Sequence, residues 1–365
     1  MKYYDLLNPE VFDYFSILSE EFPSWLLDYI HTDEMERIGK ISMSCGADYS
    51  KCFDVKYWYS NLDHSVGVAL ILWHFTHDKK QTLAGLFHDI ATPCFKHCID
   101  FMNGDSEHQE STEERTDDIL FSSKEISSLL KRDLISIYEV HDYKKYPLAD
   151  NDMPRLSADR FEYNFSSGLT FFRVWNLDSI REIYQDITIS KNEEGLPEFA
   201  FQNQDVCEKY IQIISKLWPE WISDKDRVMM QFFADMCKSM KNIGCLSIDE
   251  LYTLSEKEII HLFLTCPDSY LRDSFQKFLT VDKAYSSPIL LKDKYSVSAK
   301  SKVRYINPLV LTKDGAKRIT EVSPVSKKAI DDFLNSTKQE KYSYFDFSFT
   351  PYEEGVKVYT KKIPR

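Results

Sequence analysis

His88 and Asp89 stand side by side at the end of an apolar run, and both residue types are common metal ligands. A carboxylate in such a place is costly to bury without a partner, and a bound divalent cation removes that cost. His64 lies upstream, where a second apolar run begins, and Asp159 lies downstream. Two imidazoles and two carboxylates predict a site for one divalent ion (Mn, Mg, Fe, Zn or Ni), with positions left open for water and phosphate.

The elements that position these residues are predicted to be mainly helices. Glycine is scarce, with 10 residues, while 43% of the chain is hydrophobic, so a mainly α fold is expected. A helix that resumes near Arg155 would carry Asp159 and Tyr163 on one face, four residues apart. Before it, the pattern predicts helices over 64–78, 80–91, 94–102, 108–120 and 124–141.

The second half of the chain changes in pattern. Residues 186–202 read as a β-hairpin. After residue 285, short alternating segments such as Val303–Ile306 and Val356–Tyr359 predict strands, interrupted by a helix at about 325–336. We therefore expect a helical domain over 1–284, with its core at 61–165, and a small α+β lobe over 285–365.

Charge divides along the same line. The whole chain carries a net charge of −13, which argues against stable nucleic-acid binding. Residues 281–365 nevertheless hold 17 lysines and arginines against 10 acidic residues. This basic lobe is either a solvated lysine-rich surface or a face turned towards an anionic ligand or an acidic neighbour.

The eight cysteines include no CxxC pair, and no signal peptide precedes them. This usage is typical of reduced thiols, so a cytoplasmic location is expected. The longest apolar run, Val66–Phe75, is far shorter than the roughly 20 residues that a membrane span needs, so no membrane association is predicted.

With these residues in place, the chain resembles the HD-domain metal-dependent phosphohydrolase superfamily, and within it the dGTPase-like deoxynucleoside triphosphate triphosphohydrolases. The likeness is dense at 61–108 and 157–163 and thin elsewhere. It implies an HD-domain helical bundle with a β-hairpin insertion, and a homo-oligomer. The segments that carry it are Arg37–Gly46, Asn61–Ala69, Leu86–His97, Glu107–Ser111 and Asp159–Tyr163.

The resemblance also implies roles for individual residues. His64, His88, Asp89 and Asp159 would hold the metal. Asp100 and His108 would handle protons while water attacks a metal-polarised phosphate, and His97 would hydrogen-bond the phosphate chain. For substrate binding, Arg160 would neutralise phosphate and Tyr163 would stack on sugar or base, with Lys96 and Asn61 as further candidates.

Several specificity positions depart from the family pattern. Thr92 replaces a second histidine, Ala91 replaces a glycine, and Asn61 replaces an arginine. Ser44–Gly46 stands where relatives read guanine, and Ser167 stands where they bind the 3′-hydroxyl. We therefore expect a metal-dependent phosphohydrolase that acts on a nucleotide or related phosphoester with altered base and sugar specificity.

One alternative is another HD enzyme, a phosphomonoesterase or phosphodiesterase with two metals. Such enzymes use two extra histidines between the His-Asp pair and the last aspartate, and His108 and His141 could serve. One metal per chain would favour the dGTPase-like hypothesis, and two would favour this one.

A second alternative is not an enzyme but a degenerate HD module that binds a nucleotide as a sensor or scaffold. The replaced histidine and arginine motivate it. Retention of Asp100 and His108 speaks against it, because a pure binding site needs no proton-transfer pair. A helical interaction protein without a metal is the least favoured hypothesis.

Overall fold

The computed structural model describes residues 3–112, 115–337 and 341–353. Helices dominate it, as the composition predicts, and the strands form two small sheets. The α-helices, in chain order, are α1 Pro9–Leu18, α2 Leu26–Ile30, α3 Asp33–Ile38, α4 Asn61–Thr76, α5 Lys79–Phe87, α6 His97–Met102, α7 Thr116–Ser122, α8 Lys124–Arg132, α9 Ala158–Thr170, α10 Leu177–Gln185, α11 Gln204–Ile214, α12 Asp224–Asn242, α13 Ile248–Thr253, α14 Glu256–Leu264, α15 Ser269–Thr280, α16 Ile319–Val322 and α17 Pro324–Ser336. The strands are β1 Ile187–Lys191, β2 Pro197–Phe201, β3 Tyr285–Ser287, β4 Tyr295–Val297, β5 Leu309–Thr312, β6 Gly315–Arg318 and β7 Tyr342–Phe345.

Helix α4 begins at a capping box and is the central helix of the site. Ser60 Oγ accepts a hydrogen bond from the Asp63 backbone N–H at 3.1 Å, and the Asp63 carboxylate accepts one from the Ser60 N–H at 2.8 Å. Two of the donors left open at a helix start are satisfied in this way. Residues 61–72 of the helix are buried on every side, so α4 runs through the core.

Two glycines let neighbouring helices approach α4 closely. A Cβ on Gly85 of α5 would lie 2.4 Å from Leu72 Cδ1, and one on Gly67 of α4 would lie 2.7 Å from Cγ of Glu162 on α9. Any side chain there would overlap its neighbour. At these two glycines the backbone of one helix therefore lies directly against a side chain of its neighbour, Leu72 of α4 or Glu162 of α9.

Four predicted helices are shorter in the structure. Those predicted over 80–91 and 94–102 are present as α5 and α6, and local backbone features explain the other two. The stretch predicted as helix 108–120 begins as a turn, because the Asp105 carboxylate accepts the backbone N–H groups of Glu110 and Ser111 at 2.9 and 3.0 Å. The stretch predicted over 124–141 leaves helix at Arg132, where Leu134 adopts a left-handed φ of 56°.

The hairpin predicted at 186–202 is present as antiparallel β1 and β2. β2 also pairs in parallel with β5, which gives a four-stranded sheet of order β1-β2-β5-β6. Arg318, at the end of β6, ties this sheet together by ion pairs with Glu198 at 2.6 Å and Glu193 at 2.8 Å. A second sheet, β3-β7-β4, packs against α12.

One strand prediction is wrong. Val303–Ile306 lies in an irregular segment, 301–308, that pairs with no strand among the described residues; the Arg304 side chain bonds to Gln109 instead. The strand predicted at Val356–Tyr359 lies outside the described residues. The helix predicted at about 325–336 is α17.

One hydrophobic core extends from Tyr3 to Phe349 and includes residues from both predicted parts of the chain. The division at 284 and 285 stays a prediction. All eight cysteines are free thiols in the structure. Among the described helices, none combines the length and the apolar character that crossing a membrane requires.

Candidate metal centre and its cavity

His64 projects from the first turn of α4 and is only 2% exposed. Its Nδ1 donates a hydrogen bond to the carboxylate of Glu162, which is fully buried. Because that nitrogen donates to Glu162, the lone pair of the neutral ring is on Nε2, which points away from Glu162. This is the tautomer that a metal-binding histidine needs.

His88 caps the C-terminal end of α5 and is held in the same manner. Its Nδ1 donates to the Gly85 carbonyl oxygen at 2.7 Å, so its Nε2 is also left as the free lone pair. The Nε2 atoms of His64 and His88 lie 3.2 Å apart. The Nε2 atoms, the ring nitrogens left over from the two Nδ1 hydrogen bonds, therefore converge on one point beside Asp159.

Two carboxylates complete the group. Asp159 Oδ1 lies 3.1 Å from His64 Nε2 and 3.5 Å from His88 Nε2. Asp89 approaches the same two nitrogens at 3.9 and 3.7 Å. Ligand atoms bound to one ion at about 2.0–2.2 Å and at adjacent positions are separated by roughly 2.8–3.6 Å. The atoms of His64, His88 and Asp159 have this spacing, and His64, His88 and Asp89 form a group able to hold a metal ion.

The electrostatics fit a cation. Although burial lowers the pKa of His64, Glu162 and Asp159 outweigh it and raise that pKa to about 9. Burial alone would raise the pKa of Asp89, but Lys96, His88 and His64 hold it well below its usual range. Hydrogen bonds from His64 and His88 likewise lower the pKa of Asp159 against the effect of burial. Positive charge is favoured at this point by every carboxylate around it.

Glu162 holds the His64 ring through Nδ1, the nitrogen on the side away from His88, and no role was predicted for it from the sequence. Besides His64, its carboxylate accepts hydrogen bonds from Tyr59 at 2.6 Å, Tyr14 at 3.2 Å and Ser166 at 3.1 Å. A glutamate between Phe161 and Phe165 is as costly to bury as Asp89, so the same argument applied to α9 would have found it.

Lys96 places a positive charge beside the candidate metal ligands. It is 6% exposed, and its Nζ lies 3.0 Å from Asp89 Oδ2. Phe95 and Lys96 both have left-handed φ angles, 64° and 45°, a conformation that costs free energy in residues with side chains. Asn61, predicted to bind substrate, is fully buried; it accepts a hydrogen bond from Lys96 and does not line the cavity. It holds Lys96 in place.

The predicted proton pair of Asp100 and His108 is not formed. Asp100 is fully buried, and its carboxylate accepts hydrogen bonds from His97 Nδ1 at 3.0 Å and from Ser111 Oγ at 2.7 Å. His108 is exposed and is not part of the cavity wall, because the turn at 105–111 directs it outward. His97, predicted to contact phosphate, is therefore the histidine that pairs with Asp100.

The candidate metal ligands His64, His88, Asp89 and Asp159 line a cavity of about 820 Å³. Arg160 and Tyr163, both predicted to bind substrate, line it. Arg160 is already engaged, by an ion pair with Asp150 at 3.1 Å and a hydrogen bond to Asn151 at 2.8 Å. Tyr163 packs edge-on against Trp221, with ring centroids 5.4 Å apart.

Three further polar residues on this wall were not predicted. Gln109, Asp226 and Arg304 come from distant parts of the chain and all line the cavity. Burial raises the pKa of Asp226 to about 8, although the Arg304 guanidinium acts to lower it. No spacing in the sequence links residues so far apart, so only the fold brings them together.

The histidines proposed for a second metal do not reach the centre. His141 lies 2.8 Å from Asp117, outside the cavity, and His108 is exposed. Over residues 3–112, 115–337 and 341–353, one group of His, Cys, Asp and Glu side chains has the spacing of metal ligands.

Comparisons with known proteins give the fold. No family model and no curated protein matches this sequence. Among solved structures, a hypothetical protein from Aquifex aeolicus is similar with a TM-score of 0.64 at 15% identity, over 89% of this chain and 93% of that chain. A phosphohydrolase from Bacteroides thetaiotaomicron is similar with a TM-score of 0.59 at 14% identity, over 89% of this chain and 96% of that chain. At these identities the likeness shows a shared fold.

Proposed function

We propose that this protein is a metal-dependent phosphohydrolase of the HD type, which cleaves a phosphoester or triphosphoester bond in a nucleotide or related compound. The observation that carries the proposal is the meeting of His64 Nε2 and His88 Nε2 at 3.2 Å, with both Nδ1 atoms already used as donors. When the rings are neutral their Nε2 lone pairs converge beside Asp159, which is the arrangement that holds a divalent cation.

His64, His88, Asp89 and Asp159 would hold the ion. A bound divalent metal supplies Lewis acidity towards phosphate and lowers the pKa of a bound water. Three or four protein ligands leave coordination positions open towards the cavity, and open positions are typical of catalytic sites. The similar structure from Bacteroides thetaiotaomicron is named a phosphohydrolase, which agrees with the reaction proposed for this chain.

The chain's own residues prepare the substrate. Lys96, at 3.0 Å from Asp89, places a cation where a phosphate oxygen next to the metal group would lie. The positive φ angle of Lys96 and the hydrogen bond from its Nζ to Asn61 keep the ammonium group there rather than in solvent.

His97 and Asp100 would move protons. His97 Nδ1 donates to Asp100, so Nε2 is the basic nitrogen, and it faces the Arg304 guanidinium at 3.3 Å. Burial and Arg304 lower the pKa of His97 despite the nearby Asp100 carboxylate, which keeps the ring neutral near pH 7. A neutral imidazole oriented by a buried carboxylate is suited to accept a proton from water.

The substrate proposed is a nucleotide or related phosphoester, hydrolysed as the triphosphohydrolases do, to nucleoside and tripolyphosphate, with altered base and sugar specificity. The large cavity supports a ligand bigger than phosphate itself. The departures at Thr92, Ser44–Gly46 and Ser167 support a preference other than dGTP.

The test is a metal analysis of the purified protein, followed by a screen of nucleotides and simple phosphoesters with Mn, Mg, Fe, Zn and Ni. Phosphate, pyrophosphate and tripolyphosphate are measured separately, so the released species identifies the bond cut. The expected result is one bound metal per chain and metal-dependent release of one of these products. A protein that binds no divalent metal, or that releases nothing from the whole panel, contradicts the proposal.

A further inference from the structure

Gln109, Asp226 and Arg304 meet on one side of the cavity although they come from three separate elements. Gln109 lies in the turn before α7, Asp226 in the first turn of α12, and Arg304 in the irregular segment 301–308. Arg304 Nη2 donates to Gln109 Oε1 at 2.6 Å and lies 3.3 Å from His97 Nε2. The group thus stands directly beside the residue proposed to move protons.

These side chains have hydrogen-bonding capacity that the protein does not use. Gln109 is 3% exposed, and its Nε2 is buried with no partner among the described residues. Asp226 Oδ2 is also buried without a partner in that part of the chain. Buried polar atoms without partners are rare because they cost free energy, so two on one cavity wall point to a ligand that satisfies them.

The chemistry of the wall selects the kind of ligand. Gln109 offers N–H donors, and Arg304 offers its Nε and Nη1, which make no bond within the described residues. Asp226 offers an acceptor oxygen and, because burial favours its neutral form, also a donor. A phosphate offers mainly acceptor oxygens, so it would leave the acceptor oxygen of Asp226 without a partner. A planar heterocycle that both donates and accepts along one edge uses all three residues.

Aromatic surface completes the arrangement. Trp221 lies five residues before Asp226 and lines the same cavity with Tyr163, against which it packs at an angle of 77°. Arg304 is close enough to Tyr163 to affect the pKa of that phenol, which burial raises to about 12. Aromatic faces next to a hydrogen-bonding edge are the surroundings that flat heterocycles bind.

We propose that Gln109, Asp226 and Arg304 form the subsite that binds and discriminates the nucleobase of the substrate. This inference rests on the proposed function. In it, the candidate metal ligands and Lys96 bind the phosphate end of a nucleotide, and Gln109, Asp226 and Arg304 bind its base. Because the base contacts are made by donors and an acceptor held in fixed positions, they discriminate between bases and not merely between large and small ligands.

The test uses nucleosides, which lack phosphate and so report on the wall alone. Binding of adenosine, guanosine, cytidine and uridine to the 365-residue chain as purified is measured by calorimetry, with ribose as the control that lacks a base. We expect at least one nucleoside to bind about tenfold tighter than the weakest, and ribose not to bind. Gln109→Glu and Asp226→Asn should each change the order of preference, and Arg304→Met should weaken all binding by about tenfold. Lys300→Met, an exposed change in the same stretch, should leave the affinities as they are.

The outcomes separate this inference from the function it rests on. Nucleosides that bind no better than ribose, or variants that keep the wild-type order and strength, overturn the base subsite even when phosphoesters are hydrolysed. Variant-sensitive nucleoside binding without any hydrolysis keeps the subsite and overturns the phosphohydrolase. Circular dichroism of each variant shows whether it is folded; if Asp226→Asn fails to fold, Gln109→Glu decides.

Discussion

The carboxylate of Glu162 accepts the Nδ1 hydrogen of His64, and this one contact decides which ring nitrogen of His64 faces the cavity. The same glutamate is bonded by two tyrosines and a serine, so its position is set by α1, α9 and the stretch before α4 together. The orientation of this candidate metal ligand is thus determined by residues outside the group proposed to hold the metal.

Glu162→Gln is expected to weaken metal binding by about 10–100-fold with little change in fold, because the amide keeps the volume but offers a weaker acceptor to His64. Metal affinity is measured by competition with a chelator of known strength. Glu182→Gln, a surface change on α10, is the control and should bind metal as the wild type does. Equal affinity in Glu162→Gln and wild type would show that His64 is oriented by something else.

Gly67→Ala is expected to destabilise the protein by about 1–3 kcal/mol, because the new Cβ would lie 2.7 Å from Glu162 Cγ. The free energy of unfolding is measured in urea. In a Glu162→Ala background the neighbouring atoms are gone, so Gly67→Ala should cost less there. Additive costs in the double variant would mean that the two residues do not press on each other.

His88→Ala should abolish bound metal and activity together, since it removes one of the two converging Nε2 atoms. Mass-spectrometric metal content and a thermal melt with and without added Mn provide the measurement, because a metal that binds the folded state raises Tm. His74→Ala, an exposed change on α4, should keep both the metal and the Tm rise. A His88→Ala protein with full metal occupancy would show that the centre is wrongly assigned.

His97→Gln is expected to lower kcat by about 100-fold or more with metal content unchanged, because this ring pairs with the buried Asp100. His108→Gln should change kcat by less than about threefold, since its side chain is exposed and outside the cavity. Side-by-side kinetics on the best substrate of the screen compare the two. A larger loss for His108→Gln would restore the pairing that the sequence resemblance implies.

Asp226→Asn should alter how stability depends on pH. Burial raises the folded pKa of Asp226 to about 8, whereas an unfolded aspartate titrates near 3.9. Between these values the folded state holds a proton that the unfolded state has released, so wild-type stability falls as pH rises through this window and levels off above about 8.

The Asp226→Asn variant lacks this titrating carboxyl and the pH-dependent loss of stability that it causes. The Tm of the variant relative to wild type should therefore rise between pH 4 and pH 8. We expect a change of about 1 kcal/mol, or about 2 °C, after allowing for partial exposure of the carboxyl to the cavity. Asp205→Asn, an exposed change on α11, should shift by the same amount at every pH. Parallel Tm curves for Asp226→Asn and wild type would contradict the raised pKa.

Local sequence was informative where chemistry and secondary structure depend on neighbours. The apolar approach to His88 and Asp89, the apolar run that follows His64 and the alternation at 186–202 all act within a few residues, and the helices and hairpin they predict are present. The strand at Val303–Ile306 was wrong because alternation cannot tell whether a partner strand is within reach. His108 pointed elsewhere because a turn held by Asp105 replaced a helix.

Contacts between distant segments were beyond such reasoning. Glu162 could have been found from its burial cost, but Gln109, Asp226 and Arg304 could not, since 195 positions separate the first and last of these. Their proximity follows from how α12 and the segment before β5 pack, which depends on the whole core. The motifs at 61–108 and 157–163 therefore predict the class of reaction more readily than they predict the substrate.

The parallel pairing of β2 with β5 has a consequence for how such a protein can change over generations. All four candidate metal ligands lie between residues 64 and 159, whereas the strand pair delivers Arg304 from a stretch more than a hundred positions later. Mutations in 301–308 can therefore alter the wall that Arg304 lines while all four candidate metal ligands stay unchanged. Variation in this stretch of eight residues can thus change one part of the cavity independently of the residues proposed to hold the metal.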